Sequence, residues 1–232
     1  MSETPNAAVD AARPEGRGAF LVLDGPDGGG KTTQAKLTVE SLRACGHTVV
    51  HLREPGGTTI GERIREILLD RASAAMCAET ETLLYLAARM QLLREIILPS
   101  LDRGEIVVCE RYIYSTVAYQ GAHGKLSMDD IWRLWDAIAR ESNEPRIQPD
   151  RVLFLDVDPD LGLGRLAGEK DRMEAMGADF HRRVYENYGA IAERLGSLVT
   201  RVDATRDVAS VQASIRSELH DLGLIRAAED PA

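Results

Sequence analysis

The sequence of 232 residues contains only three cysteines, and no two of them are close enough to form a C-x-x-C pair. Cys45, Cys77 and Cys109 therefore offer no cluster of metal-ligating thiols. An odd number of isolated cysteines is typical of a protein whose thiols stay reduced in the cytosol. We accordingly expect a cytoplasmic protein.

The sequence also lacks any stretch that approaches the about 20 apolar residues a membrane-spanning helix needs. Basic charge is scarce as well, because 28 lysines and arginines are outnumbered by 37 aspartates and glutamates, for a formal net charge of −9. Proteins that bind duplex nucleic acid gain affinity from a basic surface. The composition therefore predicts neither a membrane nor a nucleic-acid partner.

The first 17 residues are rich in alanine, proline, glutamate and glycine and lack the apolar core of a signal peptide. We predict a disordered tail over 1–17, a single folded domain over 18–225 and a short tail over 226–232. A domain of this length can bury a substantial core.

The most informative motif lies at residues 25–33, where the sequence reads GPDGGGKTT. It matches the G-x-x-x-x-G-K-[ST] pattern of a phosphate-binding P-loop, and it follows an apolar run and opens a helical segment, as a P-loop must. Glycines let backbone N–H groups turn towards a phosphate, and the helix N-terminus adds partial positive charge. The residues predicted to bind ATP are Gly25, Gly28, Gly29, Gly30, Lys31, Thr32 and Thr33, with Lys31 at the β- and γ-phosphates and the Thr32 hydroxyl on Mg²⁺.

Strands and helices alternate along the whole sequence. Strands are predicted at 19–24, 48–52, 106–109, 152–155 and 198–202. Helices are predicted at 31–43, 59–70, 79–98, 113–120, 127–141 and 207–222. A short helix is also predicted to begin at 159, and a separate one to end at about 195. The alternation predicts an α/β fold with a parallel, doubly wound sheet between two helical layers, and ligands at the carboxyl ends of the strands. Pro99 is expected to end the helix over 79–98.

Arginines on separate elements indicate a second phosphate site. Arg53 and Arg111 follow predicted strands, and Arg89 lies in a predicted helix. Guanidinium groups bind phosphate oxygens in a bidentate manner, so a crevice that several of them share suits an acceptor that already carries a phosphate. The N-K-x-D motif expected of a GTPase is missing. These features favour a kinase over a switch protein.

The order and spacing of the motifs resemble a thymidylate kinase of the bacterial type, over about residues 19–220. The resemblance rests on the P-loop, Arg53-Glu54-Pro55-Gly56-Gly57-Thr58, Tyr85-Leu86-Ala87-Ala88-Arg89, Glu110-Arg111-Tyr112, Ser115, Ala118-Tyr119-Gln120-Gly121, Leu155-Asp156-Val157 and Asp171-Arg172-Met173-Glu174. It implies the P-loop NTPase fold with a short mobile lid, a homodimer, and the reaction ATP + dTMP → ADP + dTDP with Mg²⁺ as cofactor.

The resemblance also implies roles in binding the acceptor's sugar and phosphate. Asp27 would accept a hydrogen bond from the deoxyribose 3′-hydroxyl, and Arg53 and Arg111 would hold the 5′-phosphate. For Asp27 the alternative is a partner of the helix dipole, and for the two arginines it is a surface salt bridge.

For the base, the resemblance implies that Tyr85 stacks on the thymine and that Arg89 reaches its carbonyl edge. Ser115 and Gln120 would read N3–H and O4. Tyr85 could instead belong to the core, and Ser115 and Gln120 could be ordinary helix-surface residues.

Two departures from the family pattern stand out. Glu110 replaces the usual aspartate, so its predicted role in positioning Mg²⁺ depends on a side chain that is longer by one methylene. The predicted lid, at about 165–175, is shortened and offers Arg165, Lys170 and Arg172 as cations. Lys170 is the candidate for the catalytic lid cation, with Arg172 beside it, and a solvated charge run is the alternative.

The implied mechanism needs no strong general base, because the attacking phosphate oxygen is already largely ionised near neutral pH, with a second pKa of about 6. Lys31, Mg²⁺, a lid cation and Arg111 would position and stabilise the transferring group. Two alternatives stay open: a kinase for another small acceptor, and an ATP-binding regulatory module without turnover. The sequence does not rank dTMP against dUMP.

Overall fold

The computed structural model describes residues 16–140, 148–166 and 171–226. Its centre is a five-stranded sheet of entirely parallel strands in the order β2-β3-β1-β4-β5. The strands are β1 Phe20–Asp24, β2 Val49–Arg53, β3 Ile106–Glu110, β4 Arg151–Asp156 and β5 Val199–Asp203. The predicted parallel α/β sheet is confirmed.

The middle of the sheet is buried on both faces, which explains its uninterrupted apolar strands. All residues of β1 and β3 are buried. In register, Leu23 of β1 pairs with Glu110 of β3, and Asp24 pairs with Phe154 of β4. The carboxyl ends of these three strands therefore lie at one edge, where the segments that follow them meet.

Helices cover both faces of the sheet. They are α1 Lys31–Ala44, α2 Thr59–Leu69, α3 Ala78–Leu92, α4 Leu98–Asp102, α5 Ile113–Ala122, α6 Met128–Arg140, α7 Pro159–Gly164, α8 Ala178–Leu195 and α9 Val208–Asp221. One apolar core joins the sheet to α3, α5, α6 and α8, and a second joins it to α1 and α9. The arrangement has the three predicted layers.

The prediction that Pro99 ends its helix is wrong. α3 continues through a π-helical segment, Leu93–Ile97, into α4, in which Pro99 occupies the first turn. In the π segment the N–H of Leu98 reaches the carbonyl oxygen of Leu93. The π segment ends the α-helical register of α3, and α4 starts a new one in whose first turn a proline is tolerated, so the chain stays helical past Pro99.

Several predicted segments lie partly or wholly outside the described residues. These are most of the tails at 1–17 and 226–232, the end of the helix predicted over 127–141, and the centre of the predicted lid, 167–170. In the part of the chain that the structure describes, no helix has the length and apolar character to cross a membrane.

Candidate active site

The P-loop curves around its own lysine. Gly25, Gly28 and Gly30 have φ angles of +133°, +74° and +82°, which favour glycine. Lys31, the first residue of α1, donates to the carbonyl oxygens of Gly25 at 2.9 Å and Pro26 at 2.7 Å. Burial and the charge of Arg111 together lower the pKa of Lys31 to about 7, against the opposing charge of Asp27. A lysine held in this way is available to anionic phosphate.

A cavity of about 690 Å³ opens over the P-loop. The predicted site residues that line it are Asp27, Gly28, Gly29, Gly30, Lys31, Thr32, Thr33, Arg53, Tyr85, Arg89, Glu110, Arg111, Ser115 and Gln120. Gly25 and Arg172 are described but do not belong to the lining, and Lys170 lies outside the described residues. Tyr85 is half-buried in this cavity and is not part of the apolar core.

Arg111 connects the P-loop to α5. Its Nη2 forms an ion pair with Oδ1 of Asp27, and its Nη1 donates to the carbonyl oxygen of Gly25 at 3.2 Å and to Ser115 Oγ at 3.1 Å. Its φ of +68° is uncommon for a residue with a side chain. Such backbone conformations concentrate at functional sites.

Asp27 is held by two partners, because Tyr119 donates its hydroxyl to Oδ2 at 2.7 Å while Arg111 pairs with Oδ1. Burial alone would raise the pKa of Asp27, but the charges of Arg111 and Lys31 and the Tyr119 hydrogen bond outweigh it and lower the pKa. Asp27 is therefore an ionised acceptor at neutral pH.

Thr32 and Glu110, the two residues predicted to bind Mg²⁺, are in direct contact. Thr32 Oγ1 donates to Glu110 Oε2 at 2.5 Å, and the other carboxylate oxygen of Glu110 lies 2.9 Å from His51 Nε2. His51, on β2, was not predicted. It holds the Glu110 carboxylate from the side opposite Thr32.

Arg89 is buried against a carboxylate. Its Nη2 lies 2.6 Å from Glu54 Oε2 and donates to Thr116 Oγ1 at 3.0 Å, and its guanidinium packs over the rings of Tyr112 and Trp135. Burial raises the pKa of Glu54 to about 7 even though Arg89 lowers it. The turn residue Glu54 thus holds Arg89 in the wall of the cavity, which both side chains line.

The Ser115 hydroxyl is engaged by protein groups. It donates to Asp24 Oδ1 at 2.6 Å and lies 2.8 Å from the Tyr188 hydroxyl. The fully buried Asp24 carboxylate also accepts from Tyr188 at 2.7 Å and from the backbone N–H groups of Gly25 and Tyr112. Contact between Ser115 and the base stays a prediction.

Gln120 and Arg172 share a partner, Glu81. Gln120 Nε2 donates to Glu81 Oε1 at 2.8 Å, and Arg172 forms an ion pair with Oε2. Arg172 also donates to the carbonyl oxygen of Leu68 at 2.8 Å. Its guanidinium therefore lies at the junction of α2 and α3, away from the predicted catalytic position. The catalytic role of Arg172 stays a prediction.

Arg53 is half-exposed, lines the cavity and lies 3.7 Å from Glu62. Beside it, Arg65 lines the same cavity and donates to the carbonyl oxygen of Pro55 at 3.0 Å. Arg165, from the edge of the lid, lines the cavity and donates to the carbonyl oxygen of Ala204 at 2.7 Å.

Sequence reasoning missed Asp24, Glu81, His51 and Arg65. A signal existed for Glu81, which lies four residues before Tyr85 on the same helix face. Asp24 could have been noticed as a carboxylate at the end of an otherwise apolar strand. For His51 and Arg65 no local pattern marks a role.

Comparison with known proteins decides the family, because a family model described as thymidylate kinase matches residues 23–215. The chain belongs to the thymidylate kinase family. It is 42% identical to a thymidylate kinase of Pseudomonas fluorescens over 88% of this chain and 96% of the relative. A thymidylate kinase of Deinococcus radiodurans is 40% identical, over 89% of this chain and 98% of the relative. One of Lactobacillus delbrueckii subsp. bulgaricus is 39% identical, over 85% and 93%.

Family membership confirms the predicted enzyme class, a nucleoside monophosphate kinase that transfers a phosphoryl group from ATP to dTMP. The P-loop fold over the matched residues agrees with it. The alternative hypothesis, an ATP-binding regulatory module without turnover, is accordingly the weaker one.

Proposed function

We propose that ATP and dTMP meet in the single cavity over the P-loop, with the ATP phosphates on the P-loop and dTMP between α3 and α5. One observation carries this assignment. Lys31 and Arg111 both donate to the carbonyl oxygen of Gly25, at 2.9 Å and 3.2 Å. The cation assigned to the donor phosphates and the cation assigned to the acceptor phosphate therefore converge on one point.

Arg111 and Arg53 would hold the 5′-phosphate, and the Asp27 carboxylate would accept the 3′-hydroxyl. The ion pair between Arg111 and Asp27 supports this arrangement, because binding a phosphate at the guanidinium would release the carboxylate for the sugar. The cavity position of Tyr85, Arg89 and Gln120 supports a base site deeper between α3 and α5.

The attacking group is an oxygen of the acceptor phosphate, which needs little help from a base because its second pKa is about 6. Catalysis then rests on alignment of the two phosphates and on the positive charges around them. Lys31 and Arg111 supply two of these charges. Closure of the lid would keep water from competing as acceptor.

The Thr32 hydroxyl and the Glu110 carboxylate fit Mg²⁺, which prefers oxygen ligands and retains several of its waters. Their oxygens lie 2.5 Å apart beside Lys31, where the β- and γ-phosphates would lie. Mg²⁺ bound there would neutralise phosphate charge. His51 would keep the carboxylate in place.

For the lid, we propose Lys170 as the cation that approaches the transferring phosphate, with Arg172 at the end of the lid. The ion pair between Arg172 and Glu81 favours an anchoring role for Arg172 in the described conformation. Arg165 is a second candidate cation because it already lines the cavity.

We further propose that the chain forms a homodimer in the cytoplasm. Ile60 and Ile67 of α2 and Leu83 of α3 are about half-exposed, and these two helices pack together. Large apolar side chains exposed on adjacent helices are typical of a surface covered by a partner. Light scattering behind size-exclusion chromatography tests the dimer, and a monomer at micromolar concentration would refute it.

Release of ADP from MgATP with dTMP, dUMP, dCMP, AMP, GMP or thymidine as acceptor tests the function. We expect strong preference for dTMP, with dTDP as product. Activity on thymidine without activity on dTMP would refute the acceptor-phosphate site. Preference for AMP or GMP would instead support a kinase for another nucleotide.

A further inference from the structure

The side-chain amide of Gln120 has one free end. Its Nε2 donates to Glu81 Oε1 at 2.8 Å, and its Oε1 is buried without a hydrogen-bond partner among the described residues. Gln120 also lines the cavity assigned to the base. What remains available to a ligand is therefore an acceptor.

Glu81 makes this orientation obligatory. An ionised carboxylate only accepts hydrogen bonds, so the Gln120 amide must face it with the nitrogen. Burial alone would raise the pKa of Glu81, but hydrogen bonds from His123 and Gln120 and the charge of Arg172 outweigh it and lower the pKa. Glu81 is almost fully buried, so its orientation is fixed by these partners rather than by water.

Arg89, in contrast to Gln120, presents unpaired hydrogen-bond donors. Its Nη2 is used by Glu54 and Thr116, whereas its Nε and Nη1 are buried without a hydrogen-bond partner among the described residues. A guanidinium only donates. The base site thus offers a donor from Arg89 and an acceptor from Gln120.

This polarity matches one class of pyrimidine. Thymine and uracil present the O4 acceptor next to the N3–H donor, whereas cytosine presents an amino donor next to an N3 acceptor. We propose that Glu81 is a positioning residue that fixes the Gln120 amide as an acceptor and thereby selects 4-oxo pyrimidines over cytosine. The proposal rests on the proposed function, since it requires that the base occupy this cavity.

The test replaces Glu81 with a partner that both donates and accepts. In Glu81→Gln either orientation of the Gln120 amide can be satisfied, so the site should lose its fixed polarity. We expect the preference for dTMP over dCMP, measured as the ratio of kcat/KM values, to fall up to about tenfold, the upper end of the effect of one net hydrogen bond. The loss should appear in KM for dTMP more than in kcat.

Calorimetric binding of dTMP and dCMP without ATP gives a readout separate from turnover, and the ratio of Kd values should change in the same direction. The exchanged pair Glu81→Gln with Gln120→Glu restores an acceptor at position 120. It should recover the preference for dTMP, and it serves as the second variant if Glu81→Gln alone does not fold.

His123→Phe is the matched control. His123 Nε2 lies 3.1 Å from Glu81 Oε1, and its ring packs against Phe180. This substitution removes a partner of Glu81 but leaves the Glu81–Gln120 hydrogen bond, so the dTMP:dCMP ratio should stay at the wild-type value.

The outcomes separate the two proposals. A wild-type ratio in folded Glu81→Gln would overturn the role of Glu81, and so would an equal change in His123→Phe. A wild-type protein that does not prefer dTMP over dCMP would instead overturn the proposed base site.

Discussion

The backbone of Gly28 packs directly against the backbone of Gly162. A Cβ atom placed on Gly28 would lie 1.8 Å from the carbonyl oxygen of Gly162, and one placed on Gly162 would lie 2.3 Å from that of Asp27. Gly162 belongs to α7, which leads into the lid region. The contact fixes the P-loop against the helix that precedes the lid and leaves no room for a side chain at position 28.

Gly28→Ala should therefore destabilise the protein and weaken ATP binding. Its φ of +74° adds left-handed strain of about 1–2 kcal/mol for any other residue. The clash with Gly162 adds overpacking of about 1–3 kcal/mol. Urea unfolding measures the sum, and calorimetry measures the ATP affinity, which we expect to fall at least about tenfold for a loss of 1.4 kcal/mol.

Gly46→Ala provides the control, because Gly46 has a φ of +90° with nothing within 4 Å of its added Cβ. Its loss of unfolding free energy should reflect the left-handed backbone strain alone, without a steric clash. Equal destabilisation by the two substitutions would contradict the packing argument.

Arg111→Ala should nearly abolish phosphoryl transfer to dTMP while leaving ATP binding largely intact. The reason is that Arg111 is assigned to the acceptor phosphate beside Asp27 and Ser115, whereas the ATP phosphates would be held by Lys31 and the backbone N–H groups of the P-loop. A transition-state arginine contributes on the order of 10³-fold or more to kcat, and a loss of this size is expected here. ADP release at varied dTMP, together with calorimetric ATP binding, measures both effects.

Arg111→Lys keeps the charge but not the bidentate geometry and should give intermediate activity. Turnover of Arg111→Ala within a few-fold of wild type would show that the acceptor phosphate lies elsewhere.

The parts of the site that the sequence predicted are those that local pattern determines. The P-loop has fixed spacing, and Arg53, Glu110 and Arg111 lie at the carboxyl ends of β2 and β3, as a parallel sheet requires. Apolar runs at β1 and β3 were recognisable because buried parallel strands carry no alternation.

What the sequence did not predict depends on contacts between distant segments. Arg172 lies far along the chain from Glu81, so nothing local indicates that its guanidinium pairs there. The anchoring of Ser115 by Asp24 is of the same kind. The π-helical segment before Pro99 also depends on packing, since propensity alone favours a break at proline.

Substitutions of Glu110 should change the metal requirement. In Glu110→Gln the neutral amide is a poorer Mg²⁺ ligand than the carboxylate that Thr32 and His51 now hold. We expect the Mg²⁺ concentration for half-maximal activity to rise about tenfold, at the lower end of the effects seen when a metal site is perturbed. Electron paramagnetic resonance of Mn²⁺ with the ATP complex gives a readout independent of turnover.

Glu110→Asp keeps a carboxylate, on a side chain shorter by one methylene, and should stay within a few-fold of wild type in both assays. If Glu110→Gln bound Mn²⁺ as tightly as wild type, Glu110 would have no role at the metal.

ATP binding should be accompanied by proton uptake at Lys31. Without nucleotide, burial lowers the pKa of Lys31 to about 7, so the side chain is mostly neutral at about pH 8. ATP phosphates favour the charged ammonium and raise its pKa again, so the complex holds more protons than the free protein does. We expect uptake of close to one proton per ATP at about pH 8, where phosphate groups with a pKa of about 6 no longer titrate. The uptake should vanish towards about pH 6, where Lys31 is already protonated.

Calorimetry in buffers with different ionisation enthalpies counts these protons. Lys31→Arg keeps its charge throughout and should show no uptake, which separates Lys31 from other titrating groups. A binding enthalpy at about pH 8 that is independent of the buffer would show that Lys31 is charged before ATP arrives.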